Sequence, residues 1–144
     1  MYLSKDTFQT VISSTPLISI DLIIRNSQGE YLGYWFVPGG RILKGEYKRD
    51  AFARLVQNEL GIALDITNAK FLDVFEHFYD DCVFDDVIST HYVVVAYEIN
   101  LDIDLAELPQ DQHSEYKWFP KDELLSSENV HIHSKLYINP GLVS

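Results

Sequence analysis

Hydrophobic and polar positions follow a strand-like pattern in the first part of the chain. Residues 17–24 form an apolar, β-rich run that contains one acid, Asp21, and this run predicts a strand. A turn signal at residues 26–29 precedes a return strand predicted over residues 31–37. The Pro-Gly-Gly step at residues 38–40 is expected to end that strand. The pattern therefore predicts two paired strands that lead into a glycine-rich loop.

Helical spacing follows this loop. Apolar side chains recur at helical intervals over residues 47–60, and Gly61 stands where a left-handed cap is expected. Further helices are predicted at residues 4–12 (capped by Ser4 or Asp6), 120–125 and 130–138, and further strands at 71–79, 88–99 and 115–119. Acidic loops are predicted at residues 80–86 and 101–112. Because the strands and helices do not alternate strictly, we expect one domain over residues 1–144, of the α/β or α+β class, with a mixed sheet.

Composition and charge restrict the function classes. The chain has 144 residues, of which 47% are hydrophobic and 23% charged, as in an ordinary globular protein. It contains neither an apolar run of the roughly 20 residues that span a bilayer nor a signal peptide, and its one cysteine, Cys82, excludes an internal disulfide. A cytoplasmic protein is expected. The net charge of −11 disfavours nucleic acid and membrane partners, so a phosphate-bearing ligand requires a divalent cation or well-placed arginines.

The segment with the most specific spacing lies between Gly39 and Ile62. It resembles the Nudix box, whose pattern is G-x5-E-x7-R-E-U-x-E-E-x-G-U, with U an aliphatic residue. The positions in register are Gly40, Glu46, Arg54, Val56, Glu59, Gly61 and Ile62. Leu55 and Asn58 stand where the family usually has Glu. The resemblance implies a Nudix fold, in which a mixed β-sheet is sandwiched between helices.

The spacing of this segment also has a physical interpretation. Two glycines allow the backbone to offer a carbonyl oxygen at close range. Residues 55, 58 and 59 lie within about one helical turn, so two of their side chains are able to converge on one ion, and Mg²⁺ prefers such oxygen ligands. With Leu55 and Asn58 in place, Glu59 is the remaining helix-borne carboxylate. Such a site suits one Mg²⁺ that clamps a pyrophosphate, but it is poorly equipped to generate a metal-bound hydroxide.

Further segments resemble the GDP-mannose mannosyl hydrolases, a subgroup of the Nudix family. That subgroup carries the same altered box, with Leu after the Arg and only the last Glu kept. The resemblance extends through residues 14–17, 33–41, 77–81, 90–94 and 129–131, and through Gln112 and His113 followed by Tyr116 and Trp118. It implies Mg²⁺-dependent hydrolysis of GDP-mannose to GDP and free sugar, with GDP-glucose as a second candidate substrate. It also implies a homodimer.

The resemblance implies a metal site and a general base. Mg²⁺, or Mn²⁺ in its place, is expected to be held by the Gly39 carbonyl, Glu59 and Gln112. His113 is the implied base, since imidazole titrates near neutral pH and accepts a proton from water. Water then attacks the anomeric carbon of the sugar rather than phosphorus, and the configuration at that carbon inverts.

The same resemblance implies groups that bind the substrate and stabilise the leaving GDP. Arg41, His77 and Tyr92 are expected to act on the leaving group together with the metal. Asp21 is expected to bind the substrate or to orient the leaving group. Further substrate contacts are implied for Phe8, Tyr34 and Trp35, in addition to Arg41 and Tyr92.

Plainer interpretations of the same residues stay open. His113 fits an exposed histidine of an acidic loop, and His77 and Tyr92 fit packed strand residues. A buried Asp21 requires a partner. The remaining polar groups are expected to be structural or at the surface: Glu46 as a support for Arg54 or its loop, His131 and His133.

Two other functions also stay open. One is a conventional Nudix pyrophosphatase that attacks phosphorus, and the other is a catalytically silent nucleotide-sugar-binding module. Relatives carry a longer basic loop after Leu32, whereas this chain continues directly to Gly33. Either the loop is deleted, which leaves Arg25 and Arg41 as the nearby cations, or the sequence does not represent it.

Overall fold

The computed structural model describes residues 3–33, 36–79, 89–109, 116–139 and 141. The helices are α1 (Lys5–Ser14), α2 (Lys48–Leu60), α3 (Lys121–Ser126) and α4 (Ile132–Ile138). The strands are β1 (Leu17–Arg25), β2 (Tyr31–Gly33), β3 (Gly39–Arg41), β4 (Lys70–Tyr79), β5 (Thr90–Asn100) and β6 (Lys117–Phe119). Short 3-10 turns lie at Ile66–Asn68 and Leu105–Glu107. Within these described ranges, no helix has the length and apolar character needed to cross a membrane.

The strands form one mixed sheet in the order β4-β5-β1-β2-β6, and β3 also pairs with β1. β1 and β5 are parallel along their whole shared length, from Leu17 opposite Tyr92 to Arg25 opposite Asn100. The other pairings are antiparallel. The mixed sheet therefore confirms the predicted fold class.

Helices cover both faces of the sheet, because successive side chains of β1 point to opposite faces. On one face, Ile20, Leu22 and Ile24 belong to a buried cluster with α2, whose members include Phe52, Val56 and Leu60. On the other face, a smaller cluster joins β1 and β5 to α4 and contains Ile23, Val94, Ala96 and Tyr137. The acid of the apolar run, Asp21, belongs to this second face.

The long helix after the glycine-rich loop agrees with the prediction to within one residue. α2 runs over Lys48–Leu60, and Tyr47 is its N-cap rather than its first residue. Gly61 adopts φ 72° and its amide donates to the carbonyl of Gln57, which confirms the left-handed cap. The apolar residues of the helical pattern, including Ala51 and Leu55, are buried.

The predicted return strand over residues 31–37 is wrong in extent. β2 ends at Gly33, and the Pro-Gly-Gly step does not stop pairing, because Gly39–Arg41 forms β3 against β1. This pairing depends on a close approach. A Cβ atom on Gly39 would lie 2.4 Å from the carbonyl oxygen of Ile20, so a side chain at this position would push the two strands apart.

The other element boundaries shift for local reasons. α1 continues past the predicted residue 12 to Ser14, just before Pro16, and the Ser4 side chain caps it by accepting from the Thr7 amide. α4 starts at Ile132 instead of residue 130, because His131 is its cap. β5 starts two residues after and ends one residue after the predicted 88–99, and β6 starts two residues after the predicted 115 but ends at the predicted residue 119. The predicted acidic loop over 80–86 lies outside the described residues, and the loop over 101–112 contains a 3-10 turn and is described only to residue 109.

Candidate active site

A cavity of about 410 Å³ opens on the sheet face opposite α2. Side chains from α1, β1, β3, β4 and β5 line it. Among the described residues that the sequence analysis selected for the site, all except Glu59 contribute to the lining: Phe8, Asp21, Gly39, Arg41, His77 and Tyr92. The fold thus brings together residues that are far apart in the sequence.

Asp21 lines this cavity and lies opposite Gly39 in the β1–β3 pairing. The hydroxyl of Tyr137 donates a hydrogen bond of 2.5 Å to its carboxylate, so the buried acid has the partner that it requires. Burial raises the pKa of Asp21 to about 7, although the hydrogen bond from Tyr137 acts in the opposite direction. The nearby Glu59 carboxylate raises this pKa further.

Glu59 stands at the end of α2, beside the backbone of Gly39. Burial raises the pKa of Glu59, and a hydrogen bond from the Gly39 amide offsets part of this effect. The other two box positions do not join it. Leu55 is 5% exposed and lies so close to Gly40 that a Cβ on that glycine would be 2.7 Å from the leucine methyl, whereas Asn58 is exposed. α2 therefore supplies one carboxylate to this region.

Glu46 acts as a brace in the loop between β3 and α2. Its carboxylate accepts from Arg54 Nε at 2.8 Å, from Arg54 Nη2 at 3.0 Å and from the Leu43 amide at 2.8 Å. Arg54 also donates to the carbonyl of Arg41. The hydrogen bond from Arg54 is the main reason that the pKa of Glu46 is lowered. The expectation that Glu46 supports Arg54 agrees with these contacts.

Arg41 is the one lysine or arginine among the described residues that line the cavity. Its guanidinium carbon lies 4.3 Å from the centre of the Phe8 ring, a cation–π contact between β3 and α1. Arg41 also acts on Tyr92, whose pKa is raised by burial and partly lowered again by this positive charge. Arg41 therefore forms a cationic corner of the cavity, and the aromatic rings of Phe8 and Tyr92 lie near it.

His77 also lines the cavity. Its side chain is 3% exposed, and burial lowers its pKa to about 4, with further contributions from His133 and His131. The His133 ring is stacked on it, with ring centres 4.1 Å apart. His77 is therefore neutral at physiological pH in the ligand-free protein.

Sequence reasoning missed the contribution of α4. His131 and His133 were expected to be structural or surface groups, but His133 packs against the cavity residue His77 and Tyr137 bonds to Asp21. The available signal was the four-residue spacing of His133 and Tyr137, which places both on one face of a helix. That spacing alone does not show which strand the face meets.

Four predicted site residues lie outside the described residues. These are the substrate contacts Tyr34 and Trp35, the metal ligand Gln112 and the base His113. Their roles stay predictions that follow from the resemblance.

The described donors around Gly39 fit a divalent cation of the kind that prefers oxygen ligands. Asp21 and Glu59 are close enough for the Glu59 charge to raise the pKa of Asp21, so added positive charge between them is favourable. A carbonyl and one carboxylate from the protein are a usual contribution to a Mg²⁺ shell. Within the described ranges, no group of three or more His, Cys, Asp or Glu side chains is arranged to hold a metal ion. The fit therefore depends on a small protein donor set, with water or ligand oxygens filling the shell.

Comparison with known proteins agrees with this architecture. The family model described as NUDIX domain matches residues 20–139, which includes most of β1, the box and α4. The chain belongs to the Nudix family. Its relatives include the low-salt glycan biosynthesis protein Agl8 of Haloferax volcanii, which is 39% identical over 123 residues and is matched over 79% of this chain and 77% of its own length. Nudix hydrolases generally use divalent metals such as Mg²⁺.

Solved structures share the fold at low sequence identity. The MutT protein from Methanosarcina mazei has a TM-score of 0.68 and 20% identity, over 88% of this chain and 94% of that protein. The MutT NUDIX hydrolase from Burkholderia pseudomallei has a TM-score of 0.65 and 22% identity, over 90% of this chain and all of that protein. These similarities confirm the Nudix fold of a mixed sheet between helices.

Proposed function

We propose that this Nudix hydrolase converts GDP-mannose to GDP and free mannose, with GDP-glucose as a second substrate. Water attacks the anomeric carbon of the sugar, and the configuration there inverts. The attacking oxygen forms a bond to that carbon while the bond from carbon to the diphosphate oxygen breaks. The electron pair of this bond leaves with GDP, and the proton of the water passes to a base.

The single observation that carries the proposal is the environment of the box residues on α2. Leu55 is packed in the core, Asn58 is exposed and Glu46 is bonded to Arg54, so Glu59 is the box carboxylate that lies beside Gly39. Attack at phosphorus by a metal-activated water normally draws on several carboxylates around the metals. A site with one such group is better suited to holding a diphosphate while the reaction takes place at the sugar carbon.

Each site residue is assigned one role in the proposed reaction. Gly39, Glu59 and Gln112 would hold Mg²⁺, or Mn²⁺ in its place, and the bound cation would neutralise part of the diphosphate charge and so improve GDP as a leaving group. Arg41, which lines the cavity, would add a second positive charge. Asp21, which accepts a hydrogen bond from Tyr137, would hydrogen-bond the substrate. His113 is assigned as the base by the family resemblance.

Two further considerations support a sugar nucleotide as the substrate. The cavity combines one cationic corner at Arg41 with aromatic side chains at Phe8, Tyr79 and Tyr92, which suits a ligand with both a charged and a ring-shaped part. The relative Agl8 bears a name that refers to glycan biosynthesis. A homodimer stays a prediction from the family resemblance.

The deciding experiment is a hydrolysis in ¹⁸O-labelled water with GDP-mannose and Mg²⁺, followed by mass analysis of both products. Label in free mannose, with unlabelled GDP, is the expected result, because the new bond forms at carbon. Label in a phosphate group would show conventional Nudix chemistry. Binding of GDP-mannose without turnover would instead favour a silent binding module.

Substitutions test the two assignments that this scheme requires. His113→Gln is expected to lower kcat by about 100-fold or more, the usual contribution of general base catalysis. Full activity in that variant would remove His113 as the base. Glu59→Gln is expected to raise the Mg²⁺ concentration needed for half-maximal activity, and an unchanged Mg²⁺ dependence would remove Glu59 as a metal ligand.

A further inference from the structure

Helix α4 presents one face to the cavity wall. His133 and Tyr137 are four residues apart on this helix and so lie on the same side of it. The start of α4 is fixed by His131, whose Nδ1 accepts a hydrogen bond of 3.1 Å from the His133 amide. This hydrogen bond therefore holds the backbone amide of His133 in place.

His133 is in face-to-face contact with His77. The two ring centres are 4.1 Å apart, and the ring planes differ by 13°. Tyr79 packs edge-on against His133 at 4.8 Å and 80° and so makes a second ring contact with it. His77 Nε2 and His133 Nδ1 are buried, and neither has a hydrogen-bond partner among the described residues. Within that part of the chain, ring packing rather than hydrogen bonding at these atoms sets the orientation of His77.

Tyr137 contacts the second candidate residue of the cavity. Its hydroxyl donates to Asp21 at 2.5 Å, and its ring lies 5.5 Å from that of His77. Phe75 packs edge-on against Tyr137 at 4.8 Å and 85°, so the tyrosine ring is also held from the side of β4. One face of α4 therefore contacts both Asp21 and His77.

We propose that α4 is the positioning element of this cavity, with His133 orienting His77 and Tyr137 orienting Asp21. The inference rests on the proposed function in one respect, namely that His77 and Asp21 act on the bound ligand. His133 and Tyr137 themselves act through these two residues. They are positioning residues rather than catalytic ones.

The stack also affects the pKa of His77. Burial is the main reason that the pKa values of His77 and His133 are both lowered to about 4, and the neighbouring His133 and His131 lower the pKa of His77 as well. The other titratable groups near these rings come from the elements packed there: His131 at the N-cap of α4, Tyr137 on α4, Tyr79 on β4, Tyr92 on β5 and Asp21 on β1. The ligand thus meets His77 as a neutral ring with a fixed orientation.

A double-mutant cycle tests whether His133 acts through His77. His133→Ala removes the stack, His133→Phe keeps a ring in the same place, and His77→Phe removes the group that is positioned. The matched control is His91→Ala. His91 also stacks on a ring of β4, that of Phe78, at 4.3 Å and 23°, but it lies on the opposite face of the sheet.

The expected result is a loss of kcat/KM for GDP-mannose of about 10-fold or more in His133→Ala, with most activity kept in His133→Phe. In the His77→Phe background, His133→Ala is expected to cause no further loss, since its target is already absent. His91→Ala is expected to change kcat/KM less than twofold. Additive losses from His77 and His133, or equal losses in His133→Phe and His133→Ala, would overturn the proposal.

A measurement without ligand separates this proposal from the proposed function. In ¹⁵N-labelled, metal-free protein, the His77 ring is expected to titrate at about 4, and its pKa is expected to rise by about one unit or more in His133→Ala as water reaches the ring. His91→Ala should leave the His77 titration unchanged. A His77 pKa that is ordinary in the wild type, or that does not move in His133→Ala, would overturn the role of His133 even if GDP-mannose is hydrolysed. Failure to hydrolyse GDP-mannose, with the expected shift present, would contradict only the proposed function.

Discussion

Asp21 interrupts an otherwise apolar strand, and burial of its charge has a cost. In the unfolded chain the carboxyl titrates at 3.8, whereas in the folded protein its pKa is about 7. The folded state therefore binds this proton more tightly than the unfolded state. The stability that this provides is complete below about pH 4 and is lost as the pH rises through 7.

Replacement of Asp21 by Asn is expected to remove this pH dependence, because the amide still accepts from Tyr137 but carries no charge. A rise of about three pKa units corresponds to ~4 kcal/mol, so the variant should gain on the order of 2–4 kcal/mol over the wild type between acid and alkaline pH. Urea unfolding in the presence of a chelator measures this difference.

Asp102→Asn is the matched control for this prediction. The amide and hydroxyl of Ser27 both donate to Asp102 and lower its pKa, so its contribution has the opposite sign and is lost as the pH falls. The two variants should therefore diverge from the wild type in opposite directions. A difference between Asp21→Asn and the wild type that is constant with pH would contradict the assigned pKa.

The contact between Phe8 and Arg41 joins α1 to the cationic corner. Phe8→Leu keeps an apolar side chain but removes the ring face over the guanidinium. We expect the affinity for GDP with Mg²⁺ to fall by between about twofold and tenfold, the range of a partly exposed cation–π contact. Isothermal titration calorimetry measures the affinity.

A similar contact away from the cavity supplies the control for Phe8. Arg49 lies 4.9 Å from the ring centre of Tyr47, which is exposed at the start of α2. Tyr47→Leu should therefore leave GDP affinity unchanged. Equal effects of Tyr47→Leu and Phe8→Leu would show that the loss is not due to the position of Arg41.

At the scale of elements, strong local patterns were predicted well. α2 has clear helical spacing and a glycine at its end, and β1 is a continuous β-rich run, so both were placed to within about one residue. β3 was missed because Pro-Gly-Gly usually breaks a strand. Its pairing becomes visible only when Gly39 is seen to lie against Asp21.

The candidate site was predicted to a different extent for each kind of residue. Positions in the Nudix box and in the subgroup segments were selected by resemblance, and the described site residues among them line one cavity, with the exception of Glu59, which lies beside Gly39. The role of α4 was not found, because Tyr137 and Asp21 are 116 residues apart in the sequence and no local pattern links them. A contact of this kind depends on the packing of α4 against the sheet.

The loop between β3 and α2 depends on the Glu46 brace. Glu46→Gln keeps the shape of the side chain but removes the charge that pairs with Arg54. Because the pair is partly exposed, we expect a loss of about 1 kcal/mol in the free energy of unfolding, less than for a buried charged hydrogen bond. Chemical denaturation measures it. The accompanying shift of Arg41, whose carbonyl accepts from Arg54, should weaken GDP binding as well.

Glu123→Gln is a control with the same contact distance. Lys117 and Glu123 are also 2.8 Å apart, but both side chains are 49% exposed, whereas Arg54 and Glu46 are 30% and 19% exposed. Exposed pairs contribute only a few tenths of a kcal/mol. If Glu123→Gln costs as much as Glu46→Gln, then burial and the additional hydrogen bonds of Glu46 do not account for its effect.

The charge of the whole molecule opposes its proposed ligand. A protein with net charge −11 repels a diphosphate, and Arg41 is the one cation that the described residues contribute to the cavity lining. The carboxyl groups of Asp21 and Glu59 add local negative charge. These facts together make a divalent cation the natural means of binding a diphosphate here, which agrees with the general use of such metals by Nudix hydrolases.

Two kinds of buried titratable group, an acid and a pair of histidines, make the stability of the whole molecule depend on pH in opposite directions. Asp21 loses its contribution as the pH rises through 7, as described above. His77 and His133 have pKa values lowered from 6.5 to about 4, so their contribution is present above pH 6.5 and is lost as the pH falls through 4. The two windows overlap, and the effects partly cancel in the wild type.

Separate variants should reveal the two effects. Relative to the wild type, Asp21→Asn removes the loss at high pH, so its stability should rise more steeply from about pH 4 to pH 7. His133→Phe removes part of the loss at low pH, so its stability should rise less steeply, or fall, over the same range. Urea unfolding at several pH values in chelator gives both slopes, and the comparison with the wild type cancels the other carboxyl groups. If both variants change the slope of stability against pH in the same direction, then either the pKa of Asp21 is not raised in the folded protein or that of His133 is not lowered.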